Sequence, residues 1–262
     1  MRRNFSRRFH IHAVAAAFSP LFICLSLSNC SPRKSAETGH TPVVRMSSIS
    51  ISSNTEIQAA GQVSHVLKVV PHLGEEPAVG PDSFAVLDDG SVLISDPAQN
   101  RRAQFSIVDS HAVFESQAPL PGGDRIVAAS AYDQDVRDKA RLVNESTATI
   151  HRFFSDDSSS DLDVSFDDRQ KRLVSIVSLG TDEMGYTYVV LETAARSPVV
   201  DVQRLIRKYN RRSVIVAQIS DVPRQQEVSP QPEFRVKNGI VYQMVVSTDG
   251  VLINRWDTRQ NQ

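Results

Sequence analysis

Apolar positions along this chain fall in short, strand-like runs separated by clusters of Gly, Pro, Asn and Asp. The clearest stretch is residues 80–107, GPDSFAVLDDGSVLISDPAQNRRAQFSI. Residues 83–87, 92–95 and 103–108 read as three strands. Asp88-Asp89-Gly90 makes a hairpin turn in which the glycine supplies the positive φ that such turns require. Asp96-Pro97-Ala98-Gln99-Asn100 makes the second turn, from residues that cap or bend backbone. A meander of this kind cannot bury both faces by itself, so the pattern predicts repetition.

The rest of the chain continues in the same style. Residues 63–70, VSHVLKVV, form the first strand-like run. Residues 117–123 break the pattern with two prolines and two glycines, 125–132 are apolar with small residues, and 135–144 fit helix or strand equally. Residues 147–154 read as a strand, whereas the acidic, serine-rich 155–168 read as an exposed, mobile loop. Further strands are expected at 173–178, within 179–192, and at 202–209 and 214–219. After a loop with three prolines comes a hairpin about Asn238-Gly239, then a second turn at Thr248-Asp249-Gly250 leading into 251–256.

Gly90, Gly185 and Gly239 are each followed by an apolar strand. Their spacing suits units of about 45 residues, the size of a four-stranded propeller blade. A degenerate copy is then expected between the first two, near residues 125–141. The positions expected in the core are Phe84, Val86, Leu93, Tyr188, Val189, Val241, Tyr242 and Trp256. The expected fold is therefore all-β: a small or partial β-propeller of four-stranded antiparallel blades, closed by an N-terminal strand, residues 63–70, that joins the C-terminal sheet. A five-bladed ring, an open meander and a two-domain β protein are the competing architectures.

Composition adds little, but the N-terminus changes the picture. The 262 residues are 40% hydrophobic and 23% charged with a formal net charge of -1, which gives no bulk attraction to nucleic acid. Arg2, Arg3, Arg7 and Arg8 precede a mostly apolar run, the order of a secretory signal. Leu27-Ser28-Asn29-Cys30 resembles a bacterial lipobox, with Asn29 where a smaller residue is usual. That resemblance implies a signal peptide over 1–29, acylation of Cys30 as the lipid-attachment site, a flexible tether over 30–61 and a β-propeller-like domain over 62–262. Cys24 lies within the signal, so the mature chain forms no internal disulfide.

The stretch 80–107 also resembles one blade of the NHL-type β-propellers. The matching positions are Pro81, Asp88, Gly90, Asp96, Asn100 and Arg101, over about 28 residues, and later copies match less. The family includes binding scaffolds, sensors and a few enzymes, so the resemblance implies a fold more than an activity.

Candidate chemistry is sparse. His40, His65, His72, His111 and His151 show no metal-ligand spacing. Asp161, Asp163, Ser165 and Asp167 superficially resemble a calcium loop, but Phe166 stands where glycine is needed and Arg172 where a bidentate Glu belongs. The basic pairs Arg101-Arg102, Arg207-Lys208 and Arg211-Arg212 read as edge or outer-strand charges that discourage aggregation, with an acidic partner as the alternative. The expectation is a membrane-anchored, non-enzymatic lipoprotein of the bacterial cell envelope, facing the periplasm or exterior. It would contact the lipid bilayer through acylated Cys30, bind a protein or saccharide partner, and need no cofactor, metal or nucleic acid. The alternatives are a metal-dependent hydrolase or lyase with its site in a propeller channel, and an envelope sensor of peptide or saccharide.

Overall fold

From residue 83 onward the described strand-like runs fold into strands, and the described residues form four antiparallel sheets of three or four strands each. The computed structural model describes residues 46–52, 67, 69–70, 78–108, 111–120, 137–196, 201–225, 228–247 and 250–259. The first sheet is β2 (Ser83–Val86), β3 (Val92–Asp96), β4 (Arg101–Val108) and β5 (His111–Pro119). The second is β6 (Lys139–Asn144), β7 (Thr147–Phe153) and β8 (Ser159–Ser165). The third is β9 (Lys171–Thr181), β10 (Thr187–Ala195), β11 (Val202–Tyr209) and β12 (Ile215–Ile219). The fourth is β13 (Phe234–Lys237), β14 (Ile240–Ser247) and β15 (Gly250–Asp257), with β1 (Met46–Ser52) added beside β15.

The turn chemistry explains the hairpins. Gly90, Gly185 and Gly239 have φ of 84°, 82° and 73°, values that side chains with a Cβ resist. At Gly90 the Asp89 carboxylate also accepts from the Ser91 backbone N–H at 2.9 Å and from its hydroxyl at 2.7 Å. The β6–β7 turn has no glycine. There the Asn144 side-chain oxygen accepts from the backbone N–H groups of Ser146 and Thr147, at 2.8 and 3.0 Å, and an Asx turn takes over the glycine's role. The degenerate copy is thus the hairpin of 139–153, later than the expected 125–141; residues 121–136 lie outside the described ones.

Three cores separate the sheets. The first and fourth pack through Phe84, Ile94, Phe105, Tyr242, Met244 and Ile253. The fourth and third meet through Trp256, Val241, Tyr188, Ile206 and Ile219. The third and second meet through Leu191, Tyr209, Leu173, Ile150, Leu162 and Val164. β14 is buried along nearly its whole length because it serves two cores. The opening strands of the sheets are neighbours: β13 lies against both β2 and β9, and β9 lies against β6. At the other side of the sheets, β1 lies against β5.

Several expectations are corrected. The N-terminal strand that joins the C-terminal sheet is β1, not residues 63–70. It pairs antiparallel with β15 from Met46↔Trp256 to Ser52↔Gly250, so the expected tether over 30–61 contains a strand of the sheet. Residues 63–66 and 68 lie outside the described ones, while Leu67 is buried in the first core and Val70 forms an isolated bridge to Val79. Residues 155–168 are not a loop throughout: they hold β8, whose Leu162 and Val164 are buried between exposed Asp161, Asp163 and Ser165. The second sheet has three strands among the described residues, not the four expected of a blade. Of the expected core positions, Phe84, Val86, Tyr188, Val189, Val241, Tyr242 and Trp256 are buried, but Leu93 is only half-buried. The pleat turns Leu93 to the face opposite Val92 and Ile94, which point into the first core.

Candidate functional site

β11 carries the charges that matter most, and it does so from the interior of a sheet. It lies between β10 and β12, so Arg207-Lys208 are not charges of an edge strand. Period-two alternation sends Leu205 and Tyr209 to the core with the second sheet and Ile206 to the core with the fourth. Arg207 therefore shares a face with Leu205 and Tyr209, and Lys208 goes the other way.

On Arg207's face lies a cleft of about 330 Å³, lined among others by Phe166, Lys171, Gln203, Arg204, Arg207 and Gln218. The Arg207 guanidinium donates from Nε to Gln218 Oε1 at 3.0 Å and from Nη1 to the Ser165 carbonyl at 2.8 Å. It also sits 5.8 Å from the centre of the Phe166 ring. Lys171 Nζ donates to Gln203 Oε1 at 2.6 Å. Both cations are oriented by neutral amides. Arg204 differs: it meets Glu192 from Nε and Glu233 from Nη1, each at 2.7 Å, so two carboxylates neutralise it. Asp168 and Asp221 complete the polar lining. Asp168 Oδ1 accepts from the Gln170 and Lys171 backbone N–H groups at 2.8 and 3.2 Å, which fixes the start of β9 beneath the cleft.

On the opposite face Lys208 is 2% exposed. Its Nζ donates to the Thr258 carbonyl at 3.3 Å and lies 4.1 and 5.6 Å from the ring centres of Tyr186 and Tyr188. Burial pushes the ammonium below the usual lysine range, and the carboxylates of Asp182 and Asp257 pull it back. The Tyr188 hydroxyl donates to Asp182 Oδ2 at 3.1 Å, and burial raises its pKa. This cluster is packed solid and ties the third sheet to the C-terminal segment. Arg152, 1% exposed, does similar work between the second and third sheets: it donates to the carbonyls of Asn210 and Arg211 and to the hydroxyls of Ser160 and Ser213.

Arg211 continues that junction. Asp156 accepts from the Ser158 hydroxyl at 2.5 Å and from Arg211 Nη2 at 2.6 Å, and these bonds, the serine's first, hold its carboxyl down at about 2. A depressed folded-state pKa gives stability that is present above the ordinary value of 3.8 and is lost as pH falls through 2. Asp156→Asn is expected to flatten the acid-unfolding profile across that window, followed by circular dichroism. Parallel profiles for the two proteins would show that Asp156 does not stabilise the junction.

Cys30, the lipid-attachment residue expected from sequence, lies outside the described residues, as do His40, His65 and His72. His151 meets Asp161 at 2.7 Å and packs edge-on against Phe153. Asp161, Asp163 and Ser165 alternate along β8, and among the described residues no group of three His, Cys, Asp or Glu side chains is placed to hold a metal. Among them, too, no helix is long and apolar enough to cross a membrane. Arg101 of the blade-like stretch is buried, with Nε 3.8 Å from buried Asp96. The cleft residues come from the connection after β8, from β9, β10, β11 and β12, and from the residues just past β12, so spacing alone could not assemble them. The available signal was the alternation Leu205, Arg207, Tyr209. Compared with protein-family models, curated proteins and solved structures, the chain matches none.

Proposed function

We propose that this chain is a membrane-anchored, non-enzymatic binding protein of the cell envelope, a small four-bladed β-propeller held to the bilayer through acylated Cys30. The propeller reading draws support from the opening strands, since β13 adjoins β2 and β9 while β9 adjoins β6, as innermost strands of successive blades do. An N-terminal strand lying outermost in the C-terminal sheet is how propeller rings fasten themselves. The observation that carries the binding role is the cleft, where Arg207 and Lys171 are held in place by Gln218 and Gln203 rather than by carboxylates. Pre-oriented, unneutralised cations suit recognition of a ligand more than stability of the fold. The anchor rests on the basic, apolar and lipobox-like order of residues 1–30.

Mass spectrometry of the mature N-terminus is expected to find an acylated Cys30. Cys30→Ser is expected to move the protein from the membrane to the soluble fraction without lowering its melting temperature. Cleavage elsewhere, an unmodified Cys30, or membrane retention of the variant sinks the anchor.

A further inference from the structure

We infer that the cleft on the third sheet, beside the connection from β8 to β9, takes an acidic saccharide, a sugar bearing a carboxylate, with Lys171 and Arg207 on the carboxylate and the neighbouring amides and acids on the hydroxyls. The inference rests on the binding role proposed above and names the ligand class of that site.

The volume of about 330 Å³ lies at the small end of ligand sites. Among the described residues, Lys171 and Arg207 make no ion pair: Lys171 bonds an amide, and Arg207 bonds an amide and a backbone carbonyl. The bonds to Gln218 and Ser165, with the Phe166 ring 5.8 Å away, hold the guanidinium in place, which lowers the entropy lost when it grips a carboxylate. Two cations alone would suit many anions, and the remaining lining narrows the choice. Asp168 and Asp221 share the cleft and oppose a multiply charged phosphate. A singly charged carboxylate ringed by neutral hydroxyls meets less opposition. Gln203, Gln218 and Ser220 offer both donors and acceptors, and the two aspartates accept from hydroxyls. Phe166 is 8% exposed, too covered to receive an apolar side chain of a peptide.

The test is calorimetric titration of the full mature chain carrying Cys30→Ser with three probes: a digalacturonate, its methyl ester, and N-acetyl-dialanine. The digalacturonate is expected to bind, with the ester at least about tenfold weaker. K171Q and R207Q are each expected to weaken digalacturonate binding about tenfold or more, by loss of a charge-assisted bond. If R207Q melts at a lower temperature, K171Q at the start of β9 carries the comparison. Equal binding of acid and ester overturns the role of the two cations. Binding of the peptide carboxylate without the sugar overturns the saccharide but leaves the binding role standing. No binding of any probe overturns the inference, whereas the anchor is judged separately by the mass and fractionation of Cys30.

Discussion

Deleting residues 31–58 is expected to destabilise the domain by several kcal/mol and to make it self-associate. The deletion removes β1, seven residues paired in register with β15. Each hydrogen bond of such a ladder contributes about 0.5–1.5 kcal/mol net, so the loss is large against a typical total of about 5–15 kcal/mol. It also bares the outer backbone edge of β15, whose Val251 and Ile253 are each 1% exposed and belong to the first core. An uncovered, apolar edge pairs readily with a second copy. Thermal melting and analytical ultracentrifugation of this deletion, beside one that removes only 31–44 and keeps β1, decide the matter. If the longer deletion melts with the shorter and stays monomeric, β1 does not hold the fourth sheet together.

Phe84→Ala is expected to cost about 3–5 kcal/mol in urea unfolding. Phe84 is fully buried, stands opposite Ile94 in the β2–β3 hairpin, and packs in the core formed with Tyr242, Met244 and Ile253 of the fourth sheet. Alanine leaves a void walled by two sheets, and neither is free to collapse into it alone. Its carbonyl accepts from Arg235 Nε at 3.1 Å, a main-chain bond that the substitution keeps, so the loss reports on packing. Phe84→Leu is expected to recover most of the stability. A loss near zero for alanine would mean that the first and fourth sheets do not share a core.

The sequence disclosed what local chemistry controls. Glycine turns at 90, 185 and 239 were readable because few residues tolerate φ near 80°, and the runs beside them were apolar on the correct pleat. β1 and β8 were missed for one reason: MSSISIS and SSDLDVS are polar in composition, and their alternation was outweighed by serine and aspartate. In β8 every second side chain is buried or half-buried, so half of the strand can be polar. The second hairpin was displaced because Asn144 replaces the expected glycine. The cleft was illegible because it depends on which strands of the third sheet lie beside one another, and that pairing is a long-range property that no local window contains.

The sharing of β14 between two cores bears on the order in which the chain folds as it emerges from its N-terminal end. The first sheet emerges early in the chain, yet the apolar side chains that cover its core face come mostly from residues 240–253, near its end. The second and third sheets have each other and form a core between them without waiting. A nascent chain therefore gains its middle first, while its beginning stays uncovered until its end arrives. Contacts of such long sequence separation slow folding, because the entropy of closing the loop is lost before the contacts form. During that interval the 83–119 segment is the part of the molecule most in need of a chaperone.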